Sequence, residues 1–164
     1  MKDKEIEDII NKENERQIHS IELIASENYV SDDVLKADGS IMTNKYAEGY
    51  PGHRYYDGCN YVDESEKLGI SRCCKIYDAE FANIQPHSGS QANRAVIEAV
   101  CKIGDTILSL NLDNGGHLTH GSPVSFSGKY YNIVSYNLKD DDTIDYDDMI
   151  TKASQYMPRL IIGG

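Results

Sequence analysis

Residues 81–110, FANIQPHSGSQANRAVIEAVCKIGDTILSL, leave this chain few folds to choose from. A short apolar segment runs up to Pro86, and a small polar loop follows at 87–90. Ala92, Ala95, Val96, Ala99, Val100 and Ile103 then recur at offsets of three and four, which predicts one apolar stripe on a helix. Gly104 is expected just past the helix end, where a left-handed backbone costs glycine least. Thr106–Leu110 reads as a buried strand. Strand, loop, helix and strand in that order predict an α/β protein with a parallel crossover.

The loop suggests the chemistry. Ser88, Gly89 and Ser90 fall where the first N–H groups of a helix have no internal partner, so small residues with hydroxyls could cup a phosphate. Ser and Gly are equally ordinary as helix caps, and the local pattern leaves both readings open. A P-loop is excluded because no Gly-Lys-Ser/Thr follows, and a nucleophile elbow because Gly-x-Ser-x-Gly is not met.

At 164 residues the chain can bury one core. A formal charge of −11 argues against nonspecific binding to nucleic acid or acidic membranes. No apolar run approaches a membrane span, and KDKEIEDIINKENE at the start lacks a signal-peptide core, so a cytoplasmic protein is expected. Cys59, Cys73, Cys74 and Cys101 have no Cys-x-x-Cys spacing and read as free thiols. His117 and His120 have a chelating spacing, but Gly115, Gly116 and Gly121 break the helix that would align them, so no metal site is expected.

Ile6, Ile9, Ile10 and Ile18 predict a thin amphipathic helix over 2–18, suited to an arm lying on another surface. A second short helix is expected from about Ser31. Residues 43–61 carry five tyrosines and no periodicity, which reads as an ordered functional loop or a linker, the tyrosines favouring order. Within it Tyr46, Glu48, Arg54, Tyr55 and Tyr56 are a dense set of proton donors, acceptors and one permanent cation. Glu48 is either a general acid–base group or a solvated carboxylate. Residues 63–78 suggest a helical face through Leu68, Cys73 or Cys74, Ile76 and Tyr77.

A second glycine- and histidine-rich loop, within 110–128, directly follows the buried strand, and both polar loops, 87–90 and 113–121, should approach one crevice beyond the strand ends. His117 could stack on an aromatic ligand or be satisfied by backbone hydrogen bonds. A strand over 131–136 and an acidic-started helix with Ile144, Met149 and Ile150 come next. RLIIGG at 159–164 reads as one more strand, with nothing after it to cover its faces, so a domain cut short is expected.

ELIASEN at 22–28, TNKYAEGYPGHRYY at 43–56, QPHSGSQAN at 85–93 and GGHLTHGSPVSFSG at 115–128 together resemble serine (glycine) hydroxymethyltransferase, in that family's order and spacing. The match runs from about residue 18 onward and corresponds to the N-terminal two-fifths of a family member. The resemblance implies a fold type I, aspartate aminotransferase-like transferase dependent on pyridoxal 5′-phosphate. It divides the chain into an N-terminal helical arm (1–42) and an interface loop with the first, incomplete part of the large cofactor-binding domain (43–164).

The implied activity interconverts L-serine and glycine, with tetrahydrofolate as cosubstrate and 5,10-methylenetetrahydrofolate as product. The implied assembly is a homodimer or tetramer with shared active sites, without nucleic acid or membrane partners. Ser88, Gly89 and Ser90 would hold the cofactor phosphate with Asn93 nearby, and His117 would stack on the pyridine ring. From a neighbouring subunit, Tyr46 would reach the phosphate and Glu48 would handle the proton of the substrate hydroxyl and folate step. Tyr56 would line the substrate site with Ser26, and Leu112, Gly116 and Leu118 would contact the folate.

The family's Schiff-base lysine has no counterpart among Lys102, Lys129, Lys139 or Lys152, whose contexts differ. The expectation is that this stretch is inactive alone. The competing expectation is a short noncatalytic chain that associates with a full-length relative. His53 stands where a lysine is common, and Asp113 and Asn114 precede the glycine pair where relatives have a small residue and histidine.

Overall fold

The structure, a computed structural model, describes residues 1–163. It divides into two compact units, Met1–Leu68 and Gly69–Gly164; Gly164, the last residue of the expected final strand, lies outside the described residues.

The first unit opens with α1 (Lys4–His19). Asp3 caps it, its Oδ1 accepting from the Glu5 and Ile6 N–H groups at 3.1 and 3.2 Å. Glu5 and Glu7 lie near the positive end of the helix dipole, Arg16 and His19 near the negative end. Ile6, Ile9, Ile10 and Ile18 are all exposed. Ser31 caps α2 (Asp32–Asp38), the short helix expected from about that residue.

The tyrosine-rich stretch is a hairpin. β1 (Gly49–Tyr50) pairs antiparallel with β2 (His53–Arg54) across Pro51 and Gly52, with Gly49 opposite Arg54. Gly52 has φ +81°, the conformation a type II turn asks of the residue after its proline. The long helix α3 (Asn60–Tyr77) follows, starting earlier than residue 63.

The second unit is mixed α/β with a parallel sheet. β3 (Thr106–Leu110) lies between β4 (Asn132–Tyr136) and β5 (Leu160–Ile162), in the order β4-β3-β5. Ile107 is level with Ile133 on one side and Leu160 on the other. The side chains of β3 alternate between two apolar clusters. Ile107 joins Ile97 of α4 (Gly89–Val100), Cys101 just past its end, and Tyr131. Leu108 and Leu110 join Tyr136 and, from α6 (Tyr146–Tyr156), Met149 and Ala153. Helices thus cover β3 from both sides, which is why its residues 107–110 are all buried.

Three local expectations are corrected. Residues 81–86 form no strand: Asn83 Oδ1 accepts from the Gln85 N–H at 2.9 Å, Pro86 has no N–H to offer a neighbour, and Phe81 is exposed. The helix after the polar loop ends at Val100, four residues before Gly104, and its inward face is Asn93 and Ile97, continued by Cys101 just past the end. Val96 and Ile103 point to solvent. Ile144 precedes α6 and bridges to Leu138.

Candidate functional site

In the second unit the site is built at the start of α4. Ser88 has extended backbone (φ −157°, ψ 163°), and its Oγ accepts from the Gln91 N–H at 3.2 Å. Gln91 reaches back, its Oε1 accepting from the His87 N–H. This reciprocal cap fixes the loop and leaves the Gly89 and Ser90 N–H groups with no acceptor among the described residues. A Cβ at Gly89 would meet nothing within 4 Å, so the approach to those donors is open. Of the two readings the sequence leaves open, the cap is formed, and it uses only an acceptor lone pair of the Ser88 hydroxyl, which keeps its own proton to donate.

One turn into α4, Asn93 faces the loop that leaves β3. Its Nδ2 donates to Thr119 Oγ1 at 2.8 Å and lies 3.4 Å from His120 Nε2. Thr119 is 6% exposed. His117 Nδ1 lies 2.6 Å from Thr119 Oγ1 and accepts from the Thr119 N–H at 3.1 Å. The His117 and His120 rings are 5.4 Å apart and tilted by 57°. The loop can turn this sharply because the Gly116 N–H donates to Asn111 O at 3.0 Å, at a point where no Cβ would fit. Leu112 and His117 help line a cleft of about 130 Å³ beside β3 and β4. Leu118 is half exposed on the same loop.

The first unit carries Ser26, Tyr46, Glu48 and Tyr56. The Tyr46 and Tyr56 rings meet edge to face, 5.2 Å between centroids, while Ser26 stands exposed in a turn. Glu48 is exposed too, but its main chain is held. The Arg54 guanidinium donates from Nη1 to the carbonyls of Ala47 and Gly49, on either side of Glu48, at 2.7 Å each. The Glu48 carbonyl itself accepts from the Tyr55 N–H at 3.2 Å.

Arg54 is countered by Asp63 (Nε to Oδ1, 2.8 Å) and Glu66 (Nη2 to Oε2, 2.5 Å), both from α3. Its side chain is only 6% exposed. The hydrogen bond from Arg54, helped by the Gly52 N–H, holds the Asp63 carboxyl below the usual carboxylate range. Cys59, also buried, directs its thiol at the Tyr56 carbonyl 3.3 Å away.

A family model described as serine hydroxymethyltransferase matches residues 1–164. A protein named serine hydroxymethyltransferase from Halorhodospira halophila (strain DSM 244 / SL1) is 56% identical over 162 residues, covering 99% of this chain. The chain belongs to the serine hydroxymethyltransferase family. It spans 39% of the length of that relative.

The serine hydroxymethyltransferase motifs single out Glu48, His117 and the Ser88–Ser90 loop but not what holds them. Thr119, Asp63, Glu66 and Cys59 carry no recognisable spacing, and Arg54 reads in the sequence only as a cation among tyrosines. The one available signal was Thr119, the single hydroxyl residue in the run GGHLTHG at 115–121, otherwise made of glycines, histidines and a leucine.

Among the described residues there is no group of three or more His, Cys, Asp or Glu placed to hold a metal ion. No helix there is long and apolar enough to cross a membrane.

Proposed function

We propose that the protein of which this chain forms part interconverts L-serine and glycine with tetrahydrofolate, using pyridoxal 5′-phosphate on a fold type I scaffold. The observation that carries this reading is the start of α4. Two free backbone donors, Gly89 and Ser90, stand at a helix N-terminus where the sequence also places the hydroxyls of Ser88 and Ser90, a donor set that fits a phosphate dianion. When bound, the cofactor supplies the electron sink for cleavage next to the amino-acid α-carbon.

The chain's own residues bind, orient and move protons. Ser88, Gly89 and Ser90 hold phosphate oxygens, with Asn93 nearby and the Tyr46 hydroxyl of a second copy adding a donor. His117 packs its ring on the pyridine. The Glu48 carboxylate, on a main chain held by Arg54, exchanges the proton of the substrate hydroxyl and serves the folate step. Tyr56 and Ser26 line the substrate site. Leu112, Gly116 and Leu118 contact the folate. The division of labour is an arm over 1–42 and an interface loop with the first part of the large domain over 43–164. The assembly is a homodimer or tetramer with shared sites, in the cytoplasm.

The test is glycine formation from serine by the full-length protein, with and without tetrahydrofolate, for the parent and Glu48→Gln. The parent should depend on tetrahydrofolate, and the variant should lose at least about a hundredfold in folate-dependent turnover while taking up the cofactor normally. A parent that makes no glycine rejects the function. A variant with near-parental turnover removes Glu48 from the chemistry.

A further inference from the structure

Thr119 is assigned no role by any sequence motif, yet it is a buried threonine whose hydroxyl joins two elements of the second unit. Its hydrogen-bond directions can be worked out from the donor that has no choice. A backbone N–H only donates, so the Thr119 N–H, 3.1 Å from His117 Nδ1, requires a lone pair on that nitrogen. The Thr119 hydroxyl is 2.6 Å from the same nitrogen. Because Nδ1 has no proton to give, the hydroxyl hydrogen points at it, and Thr119 Oγ1 is left with lone pairs for a donor. Asn93 Nδ2, at 2.8 Å, supplies that donor. The order Asn93 amide, Thr119 hydroxyl, His117 Nδ1 follows, with the single Nδ1 lone pair shared between the hydroxyl and the Thr119 N–H, and the alternative rotation of the Asn93 amide would leave the hydroxyl with two acceptors and one proton.

We propose that Thr119 is a positioning residue that locks His117 as the tautomer with its proton on Nε2 and fixes the plane of its ring. Two donors converging on Nδ1 oppose rotation about the Cβ–Cγ bond, and the link to Asn93 couples the ring to α4, the helix whose first turn carries Ser88–Ser90. A ring that packs flat on a ligand gains from having its plane set in advance. The tautomer assignment stands on this chain's hydrogen bonds alone; its consequence for the cofactor rests on the function proposed above.

The experiment is ¹⁵N NMR of histidine-labelled full-length protein without added cofactor, for the parent, Thr119→Val and Thr119→Ser, followed by titration of each with pyridoxal 5′-phosphate by absorbance. In the parent, neutral His117 should show a pyridine-type Nδ1 and a protonated Nε2. Thr119→Val keeps the backbone donor and the shape but removes the hydroxyl. It should shift the Nδ1 signal towards a tautomer mixture and weaken cofactor binding about tenfold, the scale of one lost hydrogen bond. Thr119→Ser should restore both. A parent ring protonated on Nδ1, or a Thr119→Val spectrum identical to the parent's, overturns the proposal. A parent with the stated tautomer that binds no cofactor upholds the lock and rejects the function instead.

Discussion

Arg54 Nε lies 2.8 Å from Asp63 Oδ1, and this contact ties a two-residue β-strand to a long helix. The same guanidinium donates to Ala47, Gly49 and Glu66, so a single planar group organises the turn that presents Glu48. Lysine has the charge without the fork and cannot reach two carboxylates and two carbonyls at once. Arg54→Lys should therefore raise amide hydrogen exchange at Tyr55, whose N–H donates to the Glu48 carbonyl, by at least about tenfold, with the exchange of Ile107 and Leu108 unchanged. Equal Tyr55 exchange in parent and variant would mean that the hairpin holds itself.

The pH dependence of that clamp has a definite sign. The Asp63 carboxyl is lowered in the fold, first by Arg54 and then by the Gly52 N–H. A lowered carboxyl stabilises the fold above its unfolded value, about 3.9, and that contribution disappears as pH falls through the folded value. Protection of Tyr55, corrected for intrinsic exchange, should stay level from neutral pH down to about 4 and decline below it. Asp63→Asn should start lower and lose this acid limb. A decline in the parent that begins near pH 6 would point to a different group.

The thiols separate by environment. Cys59 and Cys101 are buried, and burial raises the Cys101 thiol above its ordinary value, while Cys73 and Cys74 are partly exposed on α3. Nucleophilic attack needs the thiolate and access together. With a limiting alkylating reagent, Cys73 and Cys74 should be modified first, and Cys59 and Cys101 at least about a hundredfold more slowly, at the rate of local opening. Peptide mass mapping against time reads this directly. Early modification of Cys59 would show that its contact with the Tyr56 carbonyl opens readily.

What was legible in the sequence was what depends on near neighbours. Ser88 as a cap, a helix starting near Ser31 and the buried strand β3 each follow from a few adjacent residues, and the structure has all three. What periodicity misjudged is set by distant packing. Val96 and Ile97 are equally apolar, and only the position of Ile107 and Tyr131 decides that Ile97 turns inward. Phe81 and Ile84 look like strand residues, yet a strand exists only where another strand accepts its hydrogen bonds. Of the candidate residues in the two units, Glu48 and His117 were visible as chemistry, whereas Arg54 in the first and Thr119 in the second act through carbonyls and a hydroxyl that no residue spacing encodes.

Gly116 gives a prediction in which space and backbone conformation can be told apart. A Cβ there would overlap the Leu110 carbonyl oxygen and stand 3.0 Å from the Asn111 carbonyl oxygen, both rigid main chain at the end of β3, although the φ of Gly116 is not positive. Its neighbour Gly115 is the reverse case, with φ +99° and nothing within 4 Å of a Cβ. Gly115→Ala should cost about 1–2 kcal/mol, the strain of a left-handed alanine. Gly116→Ala should cost about 1–3 kcal/mol through overpacking and must also shift the loop that continues into His117. Denaturant unfolding measures the first quantity, and the ¹⁵N signals of His117 report the second. If Gly116→Ala leaves those signals in place while Gly115→Ala moves them, the loop is set by the left-handed turn and not by its close approach to β3.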